Sequence, residues 1–481
     1  TYWTGLNDVV FKGGTASSTD VFRFQYADVG RIEFLVSDSA GRLGTSNPFV
    51  ERPERLVLVQ PTGNGAGDPA AATDAKFVTA GTAFPLTMQA LLYNGGLAPN
   101  FGKESTPVTV VLEARAARDQ SGTRLVDMLP VSGDAEEVLP FTGSFGAFSG
   151  GSATGISFSY ADVGILELTP VLNGGYLGTG NLQTQPINVG RFVPDHFNTV
   201  MTTPMVCDPN GMSCPATVSG MAYSGQPFSL QVLAKNTLDA TTRNYRGALA
   251  RAVTLSAYSA PGSTTTVNPP ASPSGAVLSA ASLAASSFDL GSATASPVYT
   301  LPNPFLASAP YANNWVPPTM VYLRASESGT PNDGVTSLRS SAVEGGVAVV
   351  AGRLLVPNAY GSSKLPLPLQ VSAQYYGLTS RSGVASYSWR ANASDSLTSL
   401  TMSSALSYSS CLVACPALAS GAASTLTMRS GLGTTTLKAG SSGAKSGANV
   451  KLTGPTWLPT SQGRVTFGVY RSPLIFLREV Y

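Results

Sequence analysis

The clearest order in this 481-residue chain is alternation of apolar and polar positions. Phe22-Arg23-Phe24-Gln25-Tyr26 puts three aromatic rings on one side of an extended segment, and Ile156-Ser157-Phe158-Ser159-Tyr160 repeats the arrangement. Phe84-Pro85-Leu86-Thr87-Met88 and Val108-Thr109-Val110-Val111-Leu112 are similar. Side chains two apart share a sheet face, so each segment predicts a half-buried strand. Leu365-Pro366-Leu367-Pro368-Leu369-Gln370-Val371 alternates too. Its prolines remove two ladder donors, which predicts a sheet edge. Helical periodicity is scarce. The best stretch, Gly275 to Ser287, is Ala/Ser-rich and reads as readily as loop. Val465-Thr466-Phe467-Gly468-Val469-Tyr470 and the apolar Leu474, Ile475, Phe476 and Leu477 read as a closing hairpin. An apolar strand in that position completes its own sheet or pairs with the open edge of a neighbouring subunit.

The strands belong to a repeat. Phe24-Gln25-Tyr26-Ala27-Asp28-Val29-Gly30 recurs as Phe158-Ser159-Tyr160-Ala161-Asp162-Val163-Gly164, at one offset (160 − 26 = 134). Further on, Pro53-Glu54-Arg55-Leu56 answers to Pro194-Asp195-His196-Phe197. Phe84-Pro85-Leu86 with Asn100-Phe101-Gly102 answers to Phe228-Ser229-Leu230 with Asn244-Tyr245-Arg246. So long a period suits a tandem array of domains rather than a solenoid. In the repeated corner an aromatic strand ends, the aspartate bonds nearby backbone, and the glycine tolerates positive φ. Tyr26, Asp28, Gly30 and Tyr160, Asp162, Gly164 are therefore the structural corners of two copies, with both tyrosines expected in equivalent, largely buried places. The corner is like the one before a late strand in immunoglobulin-like sandwiches, an analogy that bears on fold alone. The expected fold is all-β: tandem immunoglobulin-like sandwiches plus a C-terminal β domain. The expected division is 1–52, the C-terminal half of a repeat; 53–193, a complete repeat; 194–345, a divergent repeat; and 346–481, the C-terminal domain.

Composition agrees with many short strands joined by turns. Gly (50) and Pro (34) are abundant, while 43% hydrophobic residues suffice for cores. Only 12% of residues are charged and the formal net charge is +2, which gives no electrostatic case for nucleic acid or an anionic membrane. No apolar run is long enough to predict a spanning helix. The opening Thr1-Tyr2-Trp3-Thr4 carries no signal peptide and reads as mature or truncated sequence.

The four cysteines fall into two local pairs, Cys207 with Cys214 and Cys411 with Cys415. Two local disulfides are expected, implying an oxidising compartment; four free thiols are the alternative. One histidine, His196, restricts acid–base chemistry, and its repeat counterpart is Arg55. A charged pair at a domain junction accounts for Asp195-His196 and for Glu54-Arg55 alike. Single acids in each corner, and Asn332-Asp333-Gly334, fall short of the oxygen cluster that calcium requires. Gly63-Asn64-Gly65-Ala66-Gly67 has no lysine and reads as a turn, not a phosphate loop. Tyr375-Tyr376, Tyr387 and Trp389 are candidates for a carbohydrate surface, against the alternative of core strand residues. Asn392-Ala393-Ser394 is a glycosylation sequon, meaningful only in a eukaryotic secretory host. No catalytic, cofactor-binding or metal-ligating set is expected.

Three passages carry a family resemblance. They are Val189-Gly190-Arg191-Phe192-Val193-Pro194-Asp195-His196-Phe197, then Gly352-Arg353-Leu354-Leu355-Val356-Pro357-Asn358-Ala359-Tyr360-Gly361, and finally Val465 to Arg471 with the terminal Leu477-Arg478-Glu479-Val480-Tyr481. In this order they resemble the C-terminal domain family of MshQ-like proteins, associated with biogenesis of the mannose-sensitive haemagglutinin type IV pilus of Gram-negative bacteria. In that family a cysteine often follows Asp-Ser near Asp395-Ser396. This chain has Leu397 there, so its disulfide pattern can differ. The resemblance implies an exported, cell-surface or pilus-associated protein with a structural or adhesive role and no established catalytic residues. Its partners would be pilus or other surface proteins, copies of itself, or a glycan. The alternative function is the repeating subunit of an extracellular filament joined by a terminal strand or by an incomplete domain.

Overall fold

A computed structural model describes residues 11–12, 15–16, 26–37, 39–62, 69–129, 138–172, 174–209, 211–263, 275–302, 315–338, 342–381, 384–441 and 445–468. Two short strands, β1 (Gly30–Ile32) and β2 (Phe49–Glu51), pair antiparallel ahead of the first complete sandwich. That sandwich contains β3 (Arg55–Val59), β4 (Phe84–Leu91), β5 (Val110–Ala116), β6 (Phe141–Thr142), β7 (Ser152–Tyr160), β8 (Gly164–Leu172) and β9 (Ile187–Phe192). One sheet runs β6-β7-β4-β3, continued by Gln183–Gln185; the other runs β9-β8-β5.

The next sandwich contains β10 (His196–Thr202), β11 (Val218–Tyr223), β12 (Ser229–Lys235), β13 (Ala252–Tyr258), β14 (Ser282–Leu283), β15 (Ser292–Ala295), β16 (Thr319–Ser328) and β17 (Gly346–Val350). Its sheets are β10-β12-β15 and β11-β17-β16-β13-β14. The last contains β18 (Gly352–Leu355), β19 (Leu367–Arg381), β20 (Val384–Ala391), β21 (Leu406–Leu412), β22 (Leu432–Lys438), β23 (Ser446–Leu452) and β24 (Gly463–Phe467). There β18-β19-β22 faces β24-β23-β21, with β20 paired to β19.

The three sandwiches therefore share one frame: an antiparallel triplet β3-β4-β7, β10-β12-β15 or β18-β19-β22, opposite a triplet β5-β8-β9, β13-β16-β17 or β21-β23-β24. The C-terminal region, expected as a different β domain, uses the same frame. One turn marks all three copies. Ser149 bridges Ser152, Asp289 bridges Ser292, and Arg429 bridges Leu432. The two central residues of each turn have positive φ: Gly150-Gly151, Leu290-Gly291 and Ser430-Gly431. The second is glycine in every copy because a Cβ there would lie 2.7 Å from Ala98 O, or 2.3 Å from Thr242 O or Asn392 O.

Alternation delivers the core. Phe84, Leu86, Met88 and Ala90 of β4 point inward, as do Leu230, Val232 and Ala234 of β12. One buried cluster extends from Val29 to Val349, through two sandwiches, and a second from Met205 to Phe467. Apolar packing thus crosses every junction. The proline-bearing segment differs from expectation. It opens β19, a central strand that pairs with β22 along Leu367–Ser372 and with β18 along Ser372–Tyr375. Pro366 lies before β19 begins, and Pro368 precedes the stretch that β18 covers, so its missing donor falls where β22 is the one partner. Gly275–Ser287 forms short strands and a 3-10 turn. The corner tyrosines are unequal: Tyr160 is 2% exposed, while Tyr26 is half-buried. The expected terminal strand, Leu474 to Leu477, and the glycine cluster at 63–67 lie outside the described residues.

Candidate interaction site at the sandwich junctions

The repeated corner is a latch between successive units. Asp28 Oδ1 accepts the N–H of Val29 at 2.9 Å and that of Asn100 at 2.9 Å. In the next copy, Asp162 Oδ1 accepts the N–H of Val163 at 2.7 Å and that of Asn244 at 3.1 Å. Asn100 and Asn244 are themselves equivalent positions of the repeat, one unit further along. The same carboxylate therefore caps the same loop of the following unit at two successive junctions. Gly30 and Gly164, with φ of +141° and +151°, take the chain out of the corner in the left-handed half of backbone space.

At the second junction more groups converge. Asn244 is buried; its Oδ1 accepts Leu129 N–H at 2.6 Å and its Nδ2 donates to Tyr160 Oη at 3.2 Å. Asn236 Nδ2 donates to Ala161 O at 2.8 Å. Burial pushes the Asp162 carboxyl above its ordinary pKa, opposed by the Val163 and Asn244 N–H groups. Burial also raises the Tyr160 hydroxyl, with the Asp162 charge adding to it.

Beside the latch lies a buried ion cluster. Arg191, 1% exposed, grips Asp333 with both terminal guanidinium nitrogens, Nη1 to Oδ2 at 2.8 Å, and its Nε donates to Asp74 O at 2.7 Å. Arg251 stands 3.9 Å from Asp333 and donates to Ala72 O. Glu327 accepts Asp333 N–H at 2.9 Å and Tyr245 Oη–H at 3.1 Å. Burial raises the Glu327 carboxyl, and the Asp333 charge raises it further. Asp333 is thus engaged by arginine, which removes the carboxylate that a calcium loop at 332–334 would need.

His196 is buried, with Nδ1 at 2.9 Å from Asp195 and Nε2 at 3.5 Å from Asp239. Its counterpart Arg55 is exposed. The two copies therefore do not share one environment, and what the fold accepts at Arg55 says little about position 196.

The last junction is built differently. Val316-Pro317-Pro318, which leads into β16, carries no carboxylate. The loop closed by Cys207–Cys214 takes over, with its Cα atoms 6.3 Å apart. Asp208 accepts Tyr375 Oη–H at 2.8 Å and faces Arg390 Nε at 3.7 Å. Tyr223 donates to Asp395 Oδ2 at 3.0 Å and accepts Asn392 Nδ2 at 2.7 Å. Burial lifts both tyrosine hydroxyls, helped by Asp395 and Asp208 respectively. Asn392 is wholly buried and bonded to Tyr223, so the sequon it begins is enclosed in the folded protein. Cys411 and Cys415 are also joined, across 4.9 Å between Cα atoms, within the last sandwich.

The aromatic candidates separate. Tyr375 is buried at the junction. Tyr376, Tyr387 and Trp389 share one face of the β19–β20 hairpin, with ring centroids 5.7 to 6.0 Å apart, and Trp315 meets Trp389 edge-on at 5.2 Å. Arg353 lies 4.3 Å from the Trp389 ring and bonds Gln374 at 2.9 Å. Among the described residues no group of three or more His, Cys, Asp or Glu is placed to hold a metal ion, and no helix is long and apolar enough to cross a membrane.

Residues 162–333 match the third domain of DUF6701, and residues 350–480 match its fourth domain. The chain carries DUF6701 domains. The third-domain match begins at the latch aspartate, Asp162, and includes Asn244, whose N–H it accepts. No curated protein matches the chain. Among solved structures, the Escherichia coli adhesin FdeC is 14% identical, with 87% of this chain and 96% of that one aligned and a TM-score of 0.34. Yersinia pseudotuberculosis adhesin InvE is 15% identical over 61% of this chain and 58% of that one, with a TM-score of 0.25. The zebrafish RET cadherin-like domains 1 to 4 are 7% identical over 82% and 71%, at 0.23. At such scores the likeness says nothing about role. The all-β, immunoglobulin-like architecture rests on the sheets themselves.

Proposed function

We propose that this chain is a run of sandwiches in an exported bacterial surface protein, with a structural or adhesive rather than catalytic role. The division into 1–52, 53–193, 194–345 and 346–481 is part of that reading. The observation that carries it is the repeated latch. One aspartate caps the same loop of the following unit at two junctions, which favours fixed angles between units over a flexible string. Continuous apolar packing across the junctions supports stiffness, and the two disulfides suit an oxidising compartment. Association with a type IV pilus follows from the MshQ-like passages. The strongest sequence candidate for acid–base work, His196, is enclosed between Asp195 and Asp239 instead of opening on a cleft.

Small-angle scattering and negative-stain microscopy test the mechanical part. The wild type should behave as a rod of fixed bend, and the Asp28→Ala/Asp162→Ala variant should sample a wider range of angles. A wild type as flexible as the variant would remove the stalk reading. Immunogold labelling of intact source cells tests the location, and label confined to permeabilised cells would refute a surface protein.

A further inference from the structure

The sandwiches at 53–193 and 194–345 share both strand triplets, and they differ along the edge beside β5 and β13. In the second of them β14 closes the side of its sheet. Val253 lies opposite Leu283, Thr254 opposite Ser282, and Leu255 N–H donates to Ala281 O at 2.7 Å. Leu283 is buried there, filling the gap between the sheets.

In the preceding sandwich the matching residues go elsewhere. Counted from the shared turn (288 − 148 = 140), Ser282 and Leu283 correspond to Thr142 and Gly143. Thr142 pairs with Ser159 of β7, and Gly146 N–H donates to Thr154 O at 3.1 Å, so this segment stays on the opposite sheet. Gly143 holds it there: φ is +130°, and a Cβ would lie 2.4 Å from the Phe158 ring. The leucine that would fill the gap is a glycine that cannot.

What remains is a cleft of about 320 Å³, lined by Val108, Val110, Phe145, Phe148 and Phe158 among others, with no charged residue in its lining. One wall is Pro107–Leu112, running into β5, the last strand of its sheet. Leu139 N–H takes Ala114 O at 2.7 Å further along. Among the described residues no strand covers Val108–Val110, the counterpart of Val253–Leu255, and Val111 is 44% exposed.

We propose that this cleft accepts an extended, uncharged segment of a partner protein. The segment adds as a strand antiparallel to Val108–Val110, as β14 does beside β13, and seats one aliphatic side chain in the cleft against Phe158. Edge strands recruit such segments through main-chain hydrogen bonds, with side-chain pockets setting the choice. The absence of charge in the lining selects against acidic and basic residues at the seated position. The adhesive reading supplies the partner's setting, and the site itself stands without it.

A labelled peptide with the sequence of residues 279–287 is the probe, titrated by fluorescence anisotropy into the whole chain. Saturable binding is expected, with exchange of the Val110 amide slowed in the complex. Val108→Asp in the protein should weaken binding by at least about tenfold, since it buries an unpaired charge. Aspartate in place of the peptide's leucine should do the same with the wild-type protein, which covers the case that Val108→Asp fails to fold. No saturable binding, or binding indifferent to both changes, overturns the proposal. A wild-type dimer dispersed by Val108→Asp would assign the cleft to a second copy of the chain and overturn it equally. Either failure leaves the rod measurements untouched.

Discussion

Asp162→Ala is the sharpest perturbation of the latch. It deletes one oxygen that receives two backbone N–H groups, from Val163 at 2.7 Å and Asn244 at 3.1 Å. Both donors sit on buried residues, so neither gains water easily. A buried donor left unmade costs about 1–3 kcal/mol. Against that, the substitution releases a carboxylate whose charged form is disfavoured by burial, as its raised pKa records. The two effects oppose, and the expected net loss is about 1–3 kcal/mol, close to one unsatisfied donor rather than two. For units of this size that is a fall in Tm of about 2–4 °C per kcal/mol. Asp162→Asn separates the contributions. It keeps an acceptor oxygen and discards the charge, so it should lie close to wild type. Calorimetry of the whole chain reads the stability, and scattering reads the angle between units. An Asp162→Ala variant with unchanged Tm and an unchanged scattering curve would refute the latch. So would Asp162→Asn as damaging as the alanine, because the charge rather than the acceptor would then be what matters.

Other expectations follow from the same structure. Glu327 has a raised pKa in the fold, so its ionised form weakens the folded state. Its contribution should make the protein less stable as pH rises from about 4.3, the unfolded value, through the folded pKa, and Glu327→Gln should remove that slope from a pH series of melts. Gly291→Ala puts a Cβ 2.3 Å from Thr242 O at φ +77° and should cost about 1–3 kcal/mol in chemical denaturation; a neutral effect would contradict the shared turn. Non-reducing peptide mapping should recover Cys207–Cys214 and Cys411–Cys415, and cross-pairing would refute both links. Removing either should cost toward the low end of about 2–4 kcal/mol, since the loops are short.

The strands were legible because period-two alternation is a property of single segments. Phe84, Leu86, Phe158 and Tyr160 face inward as their spacing predicts, whereas Ile156, expected on the same face, is exposed because the register shifts between Gly155 and Phe158. The corner was legible as a motif, since Asp-Val-Gly encodes its own turn. Its partner was not. Asn100 and Asn244 stand in another repeated block, and nothing in one sequence says that two blocks of different units touch. The Arg191–Asp333 pair was hidden for the same reason, 142 residues apart with no local pattern. The frame shared by the last sandwich did leave a trace: Gly151-Ser152-Ala153-Thr154, Gly291-Ser292-Ala293-Thr294 and Gly431-Leu432-Gly433-Thr434 mark one turn. It is short and rich in common residues, so composition masks it. Pro368 of β19 misled because a strand can be central along one half and open along the other.

The last junction shows what the latch is for. Where the corner aspartate is absent, before β16, other groups do the same work on the equivalent loop. Asn392 and Asp395 occupy the places that Ala98 and Phe101, or Thr242 and Tyr245, hold in earlier units, as the matching backbone bonds to Ala373, Ala90 and Ala234 require. Asp395 turns inward and satisfies Leu397 and Thr398 N–H at 3.1 and 2.9 Å, while Tyr223 reaches across to it from the preceding sandwich. The carboxylate has changed sides: at the earlier junctions the preceding unit supplies it, and here the following unit does. Tyr223 lies on β11, and Asp208 in the Cys207–Cys214 loop makes the neighbouring contact to Tyr375, so the disulfide confines one wall of this junction. Reduction should therefore loosen the last junction and spare the earlier ones. Hydrogen exchange under reducing conditions should show faster exchange at Asn392–Thr398 with no change at Asn100 or Asn244. Acceleration at all three loops would mean that the junctions are one cooperative unit, and that the disulfide loop is no local clamp.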